Sequence, residues 1–215
     1  MLFQDRREAG RRLAEELGER DRPLVLALPR GGVPVAYEVA RKLEAPLDVL
    51  AVRKIGAPGQ PELALGAVCE DGAPLLNRHL IRVLGVASDE LGAAIGQARA
   101  ELTTCVQRYR SGRPLPDLTD RTVIVVDDGL ATGATAGAAV RYVRTQGARH
   151  VVVAVPVAAT ESVQRLAREV DEVVCVHASP TLRSVGEWYD DFSQTTDEEV
   201  ADLLGGLGGL RPPKR

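Results

Sequence analysis

The sequence predicts an α/β protein with a doubly wound, mainly parallel sheet of about five strands and helices on both faces. Short runs of consecutive apolar residues recur along the chain, and segments with helical periodicity separate them. The runs are continuous rather than alternating, which is typical of parallel strands buried on both faces. The chain has 215 residues, 45% of them hydrophobic and 27% charged, which suits one well-packed domain.

The first predicted element is an amphipathic helix over residues 6–18. Ala9, Leu13 and Leu17 recur every four residues behind Asp5. This spacing places the three apolar side chains on one face, and the carboxylate of Asp5 suits the N-cap position.

The strands and helices of the sheet follow in alternation. The apolar runs that predict strands are Leu24–Leu28, Leu47–Val52, Val123–Val126, Val151–Val157 and Val173–Val176. Helical patterns begin after Gly32, at Ser88, after the loop that ends at Thr135, and over Glu161–Glu169. The helix from Ser88 is expected to stop at Gly112 and Pro114, and the next helix to end at Gly147.

Two segments in the first half of the chain do not follow the alternation of buried strands and helices. Leu63–Cys69 and Ala73–Leu76 flank Asp71-Gly72, which predicts a β-hairpin. Gly56–Glu62 is rich in Gly, Pro and Gln, and this composition predicts a mobile loop. We expect a single domain over residues 1–204 and a disordered, glycine-rich tail over residues 205–215.

Composition narrows the functional class. The formal net charge of −3 disfavours nucleic acid as the main partner, because binding to a phosphate backbone usually needs a basic excess. No run approaches the roughly 20 apolar residues of a membrane span. Cys69, Cys105 and Cys175 are scattered, which favours reduced thiols in a cytoplasmic protein. A homo-oligomer is compatible with this composition.

The most informative segment is Val123–Thr135, with the sequence VIVVDDGLATGAT. Its apolar run brings Asp127 and Asp128 to the carboxyl edge of the sheet, where doubly wound folds bind ligands. Adjacent carboxylates repel each other, so such a pair is reasonable beside a polyhydroxyl compound or a divalent cation. The small, hydroxyl-rich residues that follow begin a helix, whose N-terminal N–H groups favour a phosphate.

A second motif, Pro29-Arg30-Gly31-Gly32, follows the first strand. Glycine lets the backbone approach a polyanion closely. Arg53 and Lys54 are predicted to end the second strand at the same edge, where they would either neutralise phosphate charge or form a solvated strand end.

Together these motifs resemble the type I phosphoribosyltransferases from about Leu24 to Phe192. The resemblance implies that the ligand is 5-phosphoribosyl-1-diphosphate (PRPP). Asp127 and Asp128 would hold the ribose hydroxyls, partly through Mg²⁺. The resemblance also implies that the double-glycine turn binds the pyrophosphate and that the Gly56–Glu62 loop is an active-site lid.

The residues implied in PRPP binding are Arg30, Gly31, Gly32, Arg53, Lys54, Asp127, Asp128, Gly129, Ala131, Thr132, Gly133, Ala134 and Thr135. The residues implied in catalysis are Asp127, Asp128, Arg30 and Lys54.

The family also carries a small hood over its site, which we expect from about residue 177 to residue 204, with the N-terminal helix as a further candidate. Trp188 and Tyr189 follow a glycine in this segment, and their rings are predicted to stack on the base. Ala131 stands where 6-oxopurine enzymes carry an aspartate, which favours adenine, orotate or uracil. The Pro-Arg-Gly-Gly turn and the hood favour the 6-oxopurine group instead, so the acceptor stays open.

The predicted activity is displacement of pyrophosphate from Mg·PRPP by a nitrogen nucleophile, with a nucleobase as the expected acceptor, which leaves a ribosyl 5′-monophosphate. The alternative is a non-catalytic PRPP-sensing regulator of the same fold. Such a regulator would use arginines such as Arg141, Arg144 and Arg149 if it bound nucleic acid.

Overall fold

The computed structural model describes residues 2–110 and 113–206, and of Pro61 and Glu62 it describes only the backbone. The chain forms two compact units. One is drawn from Met1–Val49 and Leu115–Arg215, and the other from Leu50–Pro114. The single domain expected over residues 1–204 stays a prediction.

Strands and helices alternate through most of the chain. The strands are β1 (Pro23–Ala27), β2 (Leu47–Val49), β3 (Arg53–Ala57), β4 (Gln60–Val68), β5 (Pro74–Leu76), β6 (Thr122–Val126), β7 (His150–Ala159) and β8 (Glu172–Ser179). The helices are α1 (Arg6–Leu17), α2 (Gly32–Lys42), α3 (Arg78–Leu84), α4 (Ser88–Arg110), α5 (Ala134–Thr145), α6 (Thr160–Leu166) and α7 (Asp197–Gly206), and a 3₁₀ turn spans Gly186–Trp188. Within the described residues, none of the helices is both long and apolar enough to cross a membrane.

The first unit is built on a sheet of five parallel strands in the order β2-β1-β6-β7-β8. The chain crosses through α2 from β1 to β2, and in the opposite direction through α5 and α6 from β6 to β8. Because such crossovers are right-handed, α2 covers one face of the sheet while α5 and α6 cover the other. β1, β6 and β7 are buried almost throughout. The predicted fold class is confirmed.

The N-terminal helix α1 also follows its sequence pattern. The amide of Glu8 donates to the carboxylate of Asp5 at 2.7 Å, so Asp5 is the predicted N-cap. Ala9, Leu13 and Leu17 are buried, as the four-residue spacing requires.

The second unit contains an antiparallel sheet, β3-β4-β5, together with α3 and α4. Its apolar core includes Ile55, Leu65 and Leu102. The predicted hairpin is confirmed: β4 pairs with β5, and Gly72 has a φ of 72° in the turn between them. The long helix that the sequence predicts from Ser88 is α4, which ends at Arg110. The expected stop at Gly112 lies outside the described residues.

Three local predictions need correction. The segment expected to be a mobile loop, Gly56–Glu62, is a loop only at Pro58-Gly59, which form the turn between β3 and β4, and its other residues belong to these paired strands. β2 ends at Val49, so Arg53 and Lys54 begin β3 instead of ending β2. α7 continues through Gly206 and so includes the first two residues of the expected disordered tail, and the rest of that tail lies outside the described residues.

Candidate active site

The candidate site lies at the ends of β1 and β6. These strands are parallel neighbours, with Ala27 opposite Val126. The chain leaves β1 towards one side of the sheet and leaves β6 towards the other. Such a reversal of strand order opens a crevice at the carboxyl edge, in which doubly wound sheets bind ligands. The two motifs found in the sequence therefore meet at the same edge.

Asp127 and Asp128 come directly after β6 and are largely buried. Oδ1 of Asp127 accepts a hydrogen bond from the amide of Asp128 at 2.9 Å. Burial raises the pKa of Asp127 well above its ordinary value, and the negative charge of Asp128 raises it further. Burial also raises the pKa of Asp128, and a hydrogen bond from Arg6 partly offsets that rise. Two like charges held away from water favour a ligand that brings cationic charge or hydroxyl donors.

The turn after β1 packs directly against this pair, and the packing requires glycine. A Cβ atom on Gly31 would overlap Oδ2 of Asp128. A Cβ atom on Gly32 would lie 2.7 Å from the carbonyl oxygen of Val126. Any side chain at either position would therefore displace the acid pair or the end of β6. The peptide bond between Pro29 and Arg30 in this turn is cis.

The loop after the acid pair leads into the N-terminus of α5. It starts at Gly129, where a Cβ atom would lie 2.5 Å from a valine methyl group. Gly133 is the N-cap, with a φ of 63°, and no side chain caps the helix. The amide of Gly137 donates to the carbonyl of Gly133 at 2.9 Å. The earlier amides, including those of Ala134 and Thr135, have no partner within the helix and suit a phosphate.

Two side chains on α6 fix the orientation of this loop. The hydroxyl of Ser162 donates to the carbonyl of Ala131 at 2.6 Å, and the guanidinium of Arg165 donates to the carbonyl of Thr132. In a trans peptide the C=O and the following N–H point in opposite directions. The amides of Thr132 and Gly133 therefore face away from α6. Sequence reasoning missed Ser162 and Arg165, since no motif marks them.

The side chain of Arg30 projects from the turn after β1 and is about one-third exposed. Its NH1 atom lies 3.7 Å from Oδ1 of Asp197, the first residue of α7. Arg30 is thus at the predicted edge of the sheet, and this long ion pair leaves most of its hydrogen-bonding capacity for a ligand.

Arg53 and Lys54 belong to the second unit. NH1 of Arg53 donates to the carbonyl of Val52 at 3.0 Å. Lys54 lines an open groove of about 590 Å³ within that unit, together with Glu90 and Glu101 of α4. Their predicted contact with PRPP stays a prediction.

The base-stacking prediction for Tyr189 is corrected by its burial. Its side chain is only 2% exposed, and its ring lies 5.4 Å from the ring of Phe3 and 5.1 Å from that of Phe192. Its hydroxyl donates to the carbonyl of Asp128 at 2.6 Å. Burial raises its pKa, and the negative charge of Asp128 adds to this effect. Tyr189 therefore supports Asp128 through this hydrogen bond, and its ring is too buried to stack on a base.

Trp188 is only partly buried. Its ring lies 4.5 Å from the ring of His177, so part of its surface is covered by a tilted imidazole. Stacking of Trp188 on a base stays a prediction.

The arginines considered for nucleic-acid binding are paired with acids of the same unit. Arg141 binds Glu169 at 2.9 Å, and Arg144 binds Asp171 at 2.7 Å. Arg149 is 2.5 Å from a carboxylate oxygen of Asp21. These ion pairs reduce the positive charge that the surface could present to a phosphate backbone.

Comparison with known proteins identifies the family. The family model described as "Phosphoribosyl transferase domain" matches residues 3–184. The chain is 46% identical to TT1426 from Thermus thermophilus, whose crystal structure superposes with a TM-score of 0.84 over 97% of this chain and 100% of that one.

Curated relatives include proteins named as phosphoribosyl transferases. The chain is 47% identical over 205 residues to a Mycobacterium tuberculosis H37Rv protein named "Putative phosphoribosyl transferase Rv0571c". The match covers 94% of this chain but 46% of that protein, so the chain spans about half its length. A uracil phosphoribosyltransferase of Lactobacillus gasseri is 35% identical over 154 residues, which cover 69% of this chain and 70% of that enzyme. The chain therefore belongs to the phosphoribosyl transferase domain family.

Proposed function

We propose that this chain binds PRPP at the ends of β1 and β6 and transfers its ribose 5-phosphate group to a nitrogen base, with release of pyrophosphate. The observation that carries this proposal is the convergence of two N-termini, those of α2 and α5, on one buried pair of carboxylates. Neither helix has a side-chain cap, whereas Asp5 caps α1. Uncapped N-termini and acids at one edge suit a ligand with phosphates at both ends and a diol between them.

The three parts of PRPP have separate candidate partners. The amides of the Ala131–Thr135 loop would bind the 5-phosphate. Asp127 and Asp128 would accept hydrogen bonds from the ribose hydroxyls. The turn after β1, with Arg30, would bind the pyrophosphate, since a guanidinium is a good partner for phosphate oxygens.

The residues of the site also fit Mg²⁺. Carboxylate oxygens are hard donors, and Mg²⁺ is commonly held by one or two carboxylates together with substrate phosphates. In residues 2–110 and 113–206, no group of three or more His, Cys, Asp or Glu side chains could hold a metal ion. The ion would therefore be shared between Asp127 or Asp128 and PRPP. When bound, Mg²⁺ would offset negative charge on the departing pyrophosphate.

In the proposed reaction the ring nitrogen of the base forms a bond to C1 of the ribose and loses its proton to water. The bond between C1 and the pyrophosphate oxygen breaks, and its electron pair leaves with pyrophosphate. Arg30 and the amides of its turn would bind that leaving group, and the two aspartates would hold the ribose in position. Catalysis would depend mainly on positioning and on fixed hydrogen-bond donors.

Uracil is the first acceptor to test. A relative at 35% identity is named a uracil phosphoribosyltransferase. In addition, Ala131 provides no carboxylate to take the ring proton of a 6-oxopurine. Trp188 is the only tryptophan in the chain, so its fluorescence should change when the correct base joins the PRPP complex.

The deciding experiment measures pyrophosphate release from Mg·PRPP with uracil, adenine, orotate, hypoxanthine and guanine in turn, alongside calorimetric binding of Mg·PRPP. Release with any base supports the transferase. Binding of PRPP without release overturns the transfer reaction and favours the regulatory alternative. If PRPP does not bind, the whole proposal falls.

A further inference from the structure

Arg6 contacts the acid pair from the N-terminal helix. Its Nε atom donates to Oδ2 of Asp128 at 2.9 Å, and its NH1 atom donates to the carbonyl of Ser193 at 2.7 Å. Its guanidinium carbon lies 3.9 Å from the centre of the Phe192 ring. The side chain is only 11% exposed. Arg6 thus joins three segments that are distant in the sequence.

These contacts fix the guanidinium rather than leave it as a mobile counter-ion. Stacking on an aromatic ring and planar hydrogen bonding are both properties of arginine that lysine does not reproduce. To leave Asp128, the side chain would have to give up a carbonyl acceptor and a ring contact as well as an ion pair.

The contact with Arg6 also determines what Asp128 can offer a ligand. One carboxylate oxygen is bound by Arg6, and Gly31 lies against the same oxygen, so the carboxyl group has little room to rotate. Among the described residues, this is the only ion pair made by either aspartate. Arg6 therefore both orients the carboxylate and compensates half of the charge of the pair.

We propose that Arg6 is a positioning residue of the ribose site, which holds one oxygen of Asp128 so that the other faces the ribose hydroxyls of PRPP. This inference rests on the proposed function. It adds a residue of α1 to a site that the sequence motifs place only on the loops after β1 and β6.

The neighbouring arginines of α1 provide a matched control. Arg11 is about half exposed and lies 3.8 Å from the carboxylate of Glu38. It has the same charge and lies on the same helix as Arg6, but its ion pair is with a different acid. Arg11→Gln therefore removes one positive charge from α1 without touching Asp128.

The test compares Arg6→Gln, Arg6→Lys and Arg11→Gln by calorimetry with Mg·PRPP and with magnesium pyrophosphate. Arg6→Gln should weaken PRPP binding at least tenfold and leave pyrophosphate binding within twofold, because pyrophosphate has no ribose. Arg6→Lys should recover part of the lost affinity, since it restores the charge but not the planar contacts. Arg11→Gln should bind both ligands as the wild type does.

The outcomes separate this inference from the proposed function. If the wild type does not bind PRPP, the proposed function fails first. If the wild type and Arg6→Gln bind PRPP equally, Arg6 has no positioning role and the proposed function stands. Equal losses for both ligands would also overturn the inference, because they would indicate general damage to the site.

A second variant covers the case in which Arg6→Gln does not fold. Phe192→Leu removes the ring on which Arg6 stacks and leaves the ion pair in place, and its side chain is 37% exposed, so folding should tolerate the change. We expect PRPP binding to weaken about threefold with pyrophosphate binding unchanged, consistent with a cation–π contact of modest strength. Unchanged PRPP affinity in this variant would contradict the inference.

Discussion

Buried carboxylates occur in both units of the chain, but their surroundings differ. In the second unit, Glu70 is 7% exposed and forms an ion pair with Arg110, which is 1% exposed. Glu70 also accepts a hydrogen bond from the amide of Ala51 at 3.0 Å. In the first unit, Asp127 and Asp128 are adjacent to each other, and among the described residues only Asp128 forms an ion pair, with Arg6.

This difference in charge compensation distinguishes a buried acid that stabilises the fold from one that binds a ligand. A charge that is paired inside the protein contributes to the fold, and its removal leaves the partner uncompensated. A pair of like charges lowers the stability of the free protein. A ligand that brings cationic charge or hydroxyl donors relieves this repulsion and is bound more tightly for that reason. Charge compensation by itself therefore indicates which buried acids belong to the fold and which to the site.

The largest effect should come from breaking the compensated pair. Arg110→Met removes the positive charge that Arg110 supplies to Glu70 and should lower the free energy of unfolding by about 3–5 kcal/mol. Urea denaturation measures this loss. The double variant Glu70→Gln with Arg110→Met keeps an acceptor for the amide of Ala51 and should recover much of it. A loss below about 1 kcal/mol in the single variant would contradict the comparison, since it is the size expected of an exposed pair.

The acid pair Asp127 and Asp128, which is only half compensated by Arg6, should respond in the opposite way. Replacing Asp127 and Asp128 together by Asn removes the repulsion and keeps the shape of both side chains. Mg·PRPP affinity should fall more than tenfold, or about 1.4 kcal/mol, while Tm stays constant or rises. Calorimetry and thermal melting give the two values. A clear fall in Tm with unchanged affinity would reverse the roles assigned to the two acidic sites.

Arg30→Ala tests whether the turn after β1 supplies the cation that a diphosphate needs. We expect binding of pyrophosphate and of PRPP to weaken about tenfold, in keeping with a charge-assisted hydrogen bond at a partly exposed site. Ribose 5-phosphate should bind as before, because it lacks the diphosphate. Titration of all three ligands checks this. Equal losses would mean that Arg30 shapes the site without contacting the diphosphate.

The smallest effect should come from the loop that orients the 5-phosphate amides. Ser162→Ala removes the donor to the carbonyl of Ala131, a loss of about 0.5–1.5 kcal/mol. PRPP and ribose 5-phosphate should both bind roughly fivefold more weakly, whereas pyrophosphate should not be affected. Ser162→Thr keeps a hydroxyl and is the matched control. If pyrophosphate weakens equally, Ser162 supports the fold in general rather than this loop.

The sequence predicts the parts of this molecule that depend on contiguous residues. The apolar runs give the parallel sheet, and the motif around Asp127 gives the acid pair and the helix N-terminus that follows it. Arg6 and Tyr189 could not be found in this way, because their contacts with Asp128 join residues 122 and 61 positions apart. The residues that hold a carboxylate in place depend on tertiary packing, which no local pattern records.

Two of the wrong predictions concern segments whose pairing is not evident from their own composition. The segment from Gly56 has the composition of a loop, yet pairing between β3 and β4 leaves only Pro58 and Gly59 as a turn. The segment around Tyr189 has no apolar periodicity, yet the ring is buried because Phe3 reaches it from the other end of the chain. The partner of Tyr189 lies outside the window of sequence from which the prediction was made, whereas Ala57 pairs with Gln60 inside the segment that was predicted to be a loop.

The backbone near Phe3 pairs with the segment that contains Trp188. The amide of Phe3 donates to the carbonyl of Trp188 at 3.0 Å, and the amide of Asp190 donates back to the carbonyl of Phe3 at 2.9 Å. Asp191 continues this ladder by donating to Gln4 at 2.9 Å. Phe3 therefore cannot form this pairing until the segment around Trp188, which is synthesised much later, is present.

Because of this pairing, the contacts that support Asp128 should form after the sheet has formed. The sheet and its loops are complete in the sequence by β8, but the support of Asp128 by Tyr189 and the contact that holds Arg6 at Ser193 both need residues that follow β8. Contacts of such long sequence separation are slow to close. Because the amides of Phe3 and Asp190 are hydrogen-bonded in this pairing, their hydrogens should exchange slowly once the pairing has formed, and they report on it without any substrate.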